Sequence, residues 1–184
     1  MDYAMLSRLQ IQSMTDQEDY LKLPAILVGA SAAVLPEQLA IWSYPLAKAD
    51  ADQASFNLVT AMMCRVHQSG RLDAISASAL LQVTNGIGIY KEAIRDHIPH
   101  AVPFYPLGMP DVTNRNAPVA LGMRAPGWTA LAVWRLEGAD TVELPVEAAK
   151  EILYPVDLGI ELGTVEGKLS VRFPRPKMAC ILRL

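Results

Sequence analysis

Past residue 118 the apolar residues stop recurring every three to four positions and begin to alternate, and this change of period limits the possible folds more than any other feature. Trp128-Thr129-Ala130-Leu131-Ala132-Val133-Trp134-Arg135, Thr141-Val142-Glu143-Leu144, Leu169-Ser170-Val171-Arg172-Phe173 and Ala179-Cys180-Ile181-Leu182-Arg183-Leu184 read as half-buried strands separated by Gly- or Pro-containing turns. Five to seven short strands over 119–184 predict a small antiparallel β-sandwich. Strand tryptophans in small sandwiches more often fill the core than offer a stacking platform, so Trp128 and Trp134 are assigned to the interior.

Upstream of the change lies a proline-punctuated segment (Pro103, Pro106, Pro110, Pro118) containing Asn114-Arg115-Asn116, which reads as a linker over 101–118. Before it the period is helical. Phe56, Val59, Met63 and Val66 mark one amphipathic helix, with Asp50 or Asp52 as its cap. Ser76 caps a second helix with a stripe of Leu80, Val83, Ile87, Tyr90 and Ile94, stopped by Pro99. Gly86 and Gly88 each weaken that helix by about 1 kcal/mol relative to alanine, but permit close packing. Short strands are expected before Asp16, at Val34-Leu35 just ahead of Glu37 and Gln38, and from Val66 toward Leu72. His67, near the end of the last of these, reads as a hydrogen-bonded structural histidine, and His97 and His100 as solvent-exposed.

With 184 residues the chain can bury a core, but it is shorter than the about 250 residues of a complete (β/α)8 barrel. A net charge of -3 and a pI near 5.6 provide no basic face for nucleic acid or for an anionic membrane. The uncharged run Leu23–Pro36 falls short of the roughly 20 residues of a membrane span, and Met1-Asp2-Tyr3-Ala4 has no signal-peptide character, so a cytoplasmic location is expected. Mean hydropathy is +0.21 with 52% hydrophobic residues, a balance suited to apolar faces that pack against further elements. Cys64 and Cys180 sit in apolar surroundings without ligand spacing and are expected as buried free thiols. Neither a metal nor a cofactor is expected.

The chemistry gathers between Ser13 and Tyr44. Thr15, Asp16, Gln17, Glu18 and Asp19 form a polar knot after a short apolar run, Glu37 and Gln38 interrupt a second run, and Trp42 and Tyr44 follow. Carboxylates, amides and aromatic rings at strand ends suit a sugar, whose hydroxyls need fixed hydrogen-bond partners and whose ring face stacks on an aromatic side chain.

Ser13-Met14-Thr15-Asp16-Gln17-Glu18-Asp19-Tyr20 resembles the acid/base strand of glycoside hydrolase family 36, the melibiases or α-galactosidases. Leu35-Pro36-Glu37-Gln38, Trp42-Ser43-Tyr44-Pro45, Arg65-Val66-His67-Gln68-Ser69-Gly70, Tyr90-Lys91-Glu92, Pro103-Phe104-Tyr105-Pro106-Leu107-Gly108, Leu131-Ala132-Val133-Trp134-Arg135 and Leu153-Tyr154-Pro155-Val156-Asp157-Leu158-Gly159 resemble later landmarks of that family in the same order. The resemblance implies an α+β chain: the C-terminal part of a (β/α)8 barrel over 1–100, the linker 101–118 and an antiparallel sandwich over 119–184. It implies Asp16 as the acid/base residue of a retaining α-galactosidase, and Arg8, Gln17, Glu37, Gln38, Trp42, Ser69 and Gly70 around an α-galactoside or related oligosaccharide. Met14 departs from the pattern, which has a small or hydroxylated residue there.

The family's nucleophile is an aspartate in a Lys-x-Asp-like segment on an earlier strand, and no such segment precedes Asp16 in these residues. Glu18, Asp19 and Glu37 lack the strand-end context of that nucleophile. Catalysis would therefore need a separate barrel-forming chain or self-association. The alternative is a non-catalytic carbohydrate-binding or structural module.

Overall fold

The computed structural model describes residues 2–184 as a mixed α+β chain with one parallel and two antiparallel sheets. A short helix, α1 (Tyr3–Leu6), is capped by the Asp2 carboxylate on the Ala4 amide at 2.8 Å. It leads into β1 (Gln12–Ser13), α2 (Leu23–Ser31), β2 (Leu39–Ser43), α3 (Ala51–Met62) and β3 (Arg65–Gln68). The strands are parallel in the order β1-β2-β3, with a helix carrying each crossover as parallel pairing requires. The parallel sheet has three strands among the described residues, with β1 and β3 at its edges.

The strand expected at Val34-Leu35 lies further along. Pro36 fixes a turn of 3-10 helix over Pro36–Gln38, and β2 starts only at Leu39. Glu37 and Gln38 thus enter the strand instead of leaving it, and Trp42 and Ser43 occupy its carboxyl end.

Helix α3 forms as its spacing predicts. Asp50, and not Asp52, is the cap, accepting from the Gln53 amide at 2.8 Å. Every residue from Ala54 to Met62 is buried, because the helix lies between β2 on one side and the antiparallel sheet on the other. Helix α4 (Ala77–Ile89) starts at Ser76, whose hydroxyl accepts from the Ala79 amide at 3.1 Å. It passes through a π-helical turn (Tyr90–Ile94) into a 3-10 turn (Arg95–His100) that contains Pro99. Gly86 is where the close packing occurs, since a Cβ there would stand 2.3 Å from Leu58 and 2.9 Å from the Tyr154 ring, whereas Gly88 meets nothing. Leu80 leaves the expected stripe and is exposed. Of the two histidines expected in solvent, His100 is exposed, whereas His97 is half-buried, its ring stacked on Trp128 with centroids 4.7 Å apart.

The segment expected as a linker contributes β4 (Val102–Phe104), the edge of a five-stranded antiparallel sheet ordered β4, β5 (Val119–Ala125), β6 (Trp128–Arg135), β11 (Met178–Arg183) and β8 (Glu151–Tyr154). Phe104 pairs with Gly122, and its ring covers the space a side chain would occupy there. A three-stranded sheet, β7 (Thr141–Leu144), β10 (Lys168–Arg172) and β9 (Glu161–Val165), packs on the far side.

Two large cores result, with a small third cluster of Ala54, Ala79 and Val83 between α3 and α4, and β6 and β11 belong to both large ones. Ala130, Ala132 and Trp134 of β6, with Ala179 and Ile181 of β11, face the helices in one cluster. Leu131, Val133, Cys180 and Leu182, the alternate residues, face the three-stranded sheet with Val171 and Phe173. Both tryptophans are interior as expected, Trp128 donating to the Ala93 carbonyl at 3.0 Å and Trp134 to Thr60 Oγ1 at 3.0 Å. Cys64 and Cys180 are free and buried, and burial pushes both thiols well above their ordinary value.

Candidate functional site

The carboxyl ends of the three parallel strands open into one cleft of about 890 Å³. In parallel α/β arrangements this is where ligands bind, because the loops leaving the strands converge there. The loop after β1 supplies Met14 through Tyr20, the end of β2 supplies Trp42, Tyr44 and Leu46, and Ser69 comes from just beyond β3. Leu23 of α2 and Asn57 of α3 complete the wall.

The loop is built by side chains that hold the backbone. Thr15 Oγ1 accepts from the Gln17 amide at 3.1 Å, Gln17 Oε1 from the Asp19 amide at 3.0 Å, and Asp19 Oδ1 from the Leu21 amide at 3.1 Å. Alternate residues thus fix the turn. Asp16 and Glu18, between them, are exposed in the cleft. Asp19 is held a second time, by the Arg115 guanidinium at 2.6 Å, so the segment 101–118 anchors the loop instead of merely connecting two halves. Tyr20 packs edge-on against Phe56 with centroids 5.3 Å apart. Burial first, then the Asp50 and Asp19 carboxylates, raise its phenol above the ordinary value, which keeps it neutral and able to donate.

Because the Asp19–Arg115 pair is partly exposed, water screens it and its removal costs little stability, at most about 1 kcal/mol. Its role is local order. Arg115→Ala is expected to leave the melting temperature nearly unchanged while amide exchange over residues 15–21 accelerates; equal exchange in both proteins would show that the loop needs no anchor.

On β2 one residue stands apart from the rest. Leu39, Ala40, Ile41 and Ser43 are buried, whereas Trp42 and, just past the strand, Tyr44 have 41% and 53% of their surface accessible. Trp42 is nonetheless fixed, donating from Nε1 to Ser13 Oγ at 3.0 Å and meeting the edge of His67 at 5.1 Å. His67 is placed by this ring packing, and among the described residues its side chain makes no hydrogen bond of the kind expected of it. A rigid, exposed aromatic face is what sugar stacking requires.

Of the expected site residues, the structure brings Asp16, Gln17, Trp42 and Ser69 together. Gly70 adopts φ +84°, and a Cβ there would approach the Pro45 carbonyl oxygen to 2.9 Å, so it shapes the turn behind Ser69 without lining the cleft. Glu37 and Gln38 lie at the amino end of β2, away from the cleft, and Gln38 Nε2 donates to the Leu6 and Leu9 carbonyls at 3.4 and 3.5 Å. Arg8 is exposed and is not among the cleft residues.

Asn57 is the residue the sequence reading passed over. It is 1% exposed in the middle of α3 and donates from Nδ2 to the Gln53 carbonyl at 3.1 Å, while its Oδ1 has no partner among the described residues. A buried acceptor left in that condition costs about 1–3 kcal/mol. A polar residue inside an otherwise apolar buried helix was the available signal.

No group of three or more histidine, cysteine or acidic side chains among the described residues is arranged to hold a metal. No helix among them is long and apolar enough to cross a membrane.

No family model matches the chain, and no curated protein matches it. Among solved structures it is similar to the galactosidase domain of alpha-galactosidase-sucrose kinase, AgaSK, with a TM-score of 0.63 at 14% identity. The likeness is one of fold. It covers 92% of this chain and 25% of that one, so the chain spans a quarter of the length of the structure it matches. It resembles part of a galactosidase domain, and the match carries no statement about catalytic residues.

Proposed function

We propose that the cleft binds a galactoside-like sugar and that the chain is the C-terminal portion of an α-galactosidase-like retaining hydrolase, with Asp16 as its acid/base residue. The observation that carries this reading is the position of Asp16: at the carboxyl end of a parallel strand, in a cleft whose wall includes the fixed, exposed face of Trp42. The fold likeness to part of a galactosidase domain and the ordered motifs support it. Residues 1–100 would then be barrel strands and helices, 119–184 the sandwich, and the open edges of β1 and β3 the places where further strands join.

Retention needs a second carboxyl group about 5 to 5.5 Å from the first, to act as nucleophile. The other cleft carboxylates, Glu18 and Asp19, share Asp16's own loop, and Asp19 is committed to Arg115. A general acid must also keep its proton near neutrality, which desolvation or a close second carboxylate achieves. Asp16 is exposed, so both the nucleophile and the desolvation would come from a surface closing over the cleft.

The test is a D-galactose titration followed by amide resonances, with turnover of a chromogenic α-galactoside in parallel. Galactose is expected to shift the resonances of residues 15–20 and Trp42, and the 184-residue chain alone is expected to leave the chromogenic substrate uncleaved. Supplied with a barrel-forming chain carrying a Lys-x-Asp strand, it should hydrolyse the substrate, and Asp16→Asn should lower that rate by about 10²–10⁴-fold. Hydrolysis by the chain alone would place the nucleophile within it. No shift with galactose would remove the sugar reading altogether.

A further inference from the structure

The cleft has two unlike walls. The loop after β1 brings polar groups, Thr15 through Asp19, whereas the end of β2 brings Trp42, Tyr44 and Leu46. These three alternate residues are 41%, 53% and 51% exposed, so a ligand can reach all of them. Trp42 belongs to the strand, and Tyr44 and Leu46 lie beyond its end at Ser43, on the chain leaving the sheet. The row has little to offer a hydroxyl. Trp42 commits its one donor to Ser13, Leu46 has none, and the Tyr44 hydroxyl is the single polar side-chain group left in the row.

In a retaining site the acid/base carboxyl protonates the leaving-group oxygen, and the nucleophile attacks from the other side of the scissile bond. With Asp16 in the first role, the surface beside it receives the leaving group. A second sugar in that place needs several fixed donors and acceptors, of which the row supplies one. An alkyl or aryl group needs only apolar surface to cover. There is room for such a group, because a cleft of about 890 Å³ stands near the top of the about 300–1,000 Å³ range of small-molecule sites and holds more than one hexose ring. We infer that the ligand is amphipathic: a galactoside whose ring lies against Trp42 beside the polar loop, and whose aglycone is an apolar chain or ring laid on Tyr44 and Leu46. This rests on the sugar reading and on Asp16 as acid/base residue, and it names the aglycone.

The experiment titrates the chain with methyl α-D-galactoside, with hexyl α-D-galactoside below its micelle-forming concentration, and with a galactosyl-glucose disaccharide, each followed by amide resonances. A methylene that leaves water completely tightens binding about four-fold. On a wall open on one side only part of that is realised, so the hexyl glycoside is expected to bind about ten-fold tighter than the methyl one. It should also shift the resonances of Tyr44 and Leu46 besides those of residues 15–20. The disaccharide is expected to bind no tighter than the methyl glycoside. Tyr44→Ser combined with Leu46→Ser, both at exposed positions, is expected to remove the advantage of the hexyl chain. Equal binding of the hexyl and methyl glycosides, a disaccharide as tight as the hexyl glycoside, or an advantage that survives in the double variant would overturn the inference and leave the sugar reading standing. Binding by none of the three would overturn both.

Discussion

Trp134→Ala should destabilise the chain by about 3–5 kcal/mol, enough to lower the melting temperature by roughly 10 °C. Trp134 is fully buried between the five-stranded sheet and α3, and its indole donates to Thr60 Oγ1, which itself donates to the Phe56 carbonyl at 3.1 Å. Truncation removes the apolar contact and the hydrogen bond together, and backbone on both sides resists collapse into the space. Trp134→Phe separates the two effects: it keeps most of the volume and loses only the donor, so about 1 kcal/mol is expected beyond the smaller cavity. Chemical denaturation of the three proteins gives the comparison. A loss under 2 kcal/mol for the alanine variant would mean that α3 and the sheet are less tightly apposed than the structure places them.

Gly138→Ala should cost about 1–3 kcal/mol and, unlike other surface changes, should be felt in the cleft. A Cβ at this position would stand 2.0 Å from the Asn116 carbonyl oxygen, which is backbone and cannot swing aside. The strand of contacts continues from there, because the Arg115 carbonyl accepts from the Glu137 amide at 2.8 Å and the Arg115 guanidinium holds Asp19. Pushing residues 114–116 outward therefore slackens the loop that presents Asp16. Faster amide exchange over residues 15–21 together with a lower melting temperature is the expected signature, whereas Arg115→Ala should give the first without the second. Unchanged exchange in Gly138→Ala would show that the displacement is absorbed before it reaches Asp19.

The two kinds of repeat that the sequence displays openly, helix stripes and strand alternation, account for what was legible. Asp50, one of the two aspartates expected as cap, and Ser76 cap their helices, and Trp128 through Arg135 is a strand. Strands without such a repeat were missed. β5 carries Gly122 and Arg124 and follows Pro118, and it needs Phe104 laid over the glycine to complete its surface, a contact between distant residues. β9 is exposed on most of its length and so shows no apolar alternation at all. Pro36 mimicked the end of a strand while starting the turn that leads into one, which put Glu37 and Gln38 at the wrong end of β2. In the cleft, residues adjacent in sequence were found and Asn57 was not, since only the packing of α3 behind the loop brings it there.

The double membership of β6 and β11 bears on how the chain comes apart. A strand whose two faces serve two interiors cannot be released from one without exposing the other. The boundary near residue 118, so plain in the letters, should therefore be invisible in unfolding: melting followed by the buried tryptophans and by backbone dichroism should coincide in a single transition. Within the native state the amides of these two strands should be the last to exchange, opening only when the whole molecule does. Cutting the chain at residue 118 would then yield not two modules but two polypeptides, each deprived of half of an interior.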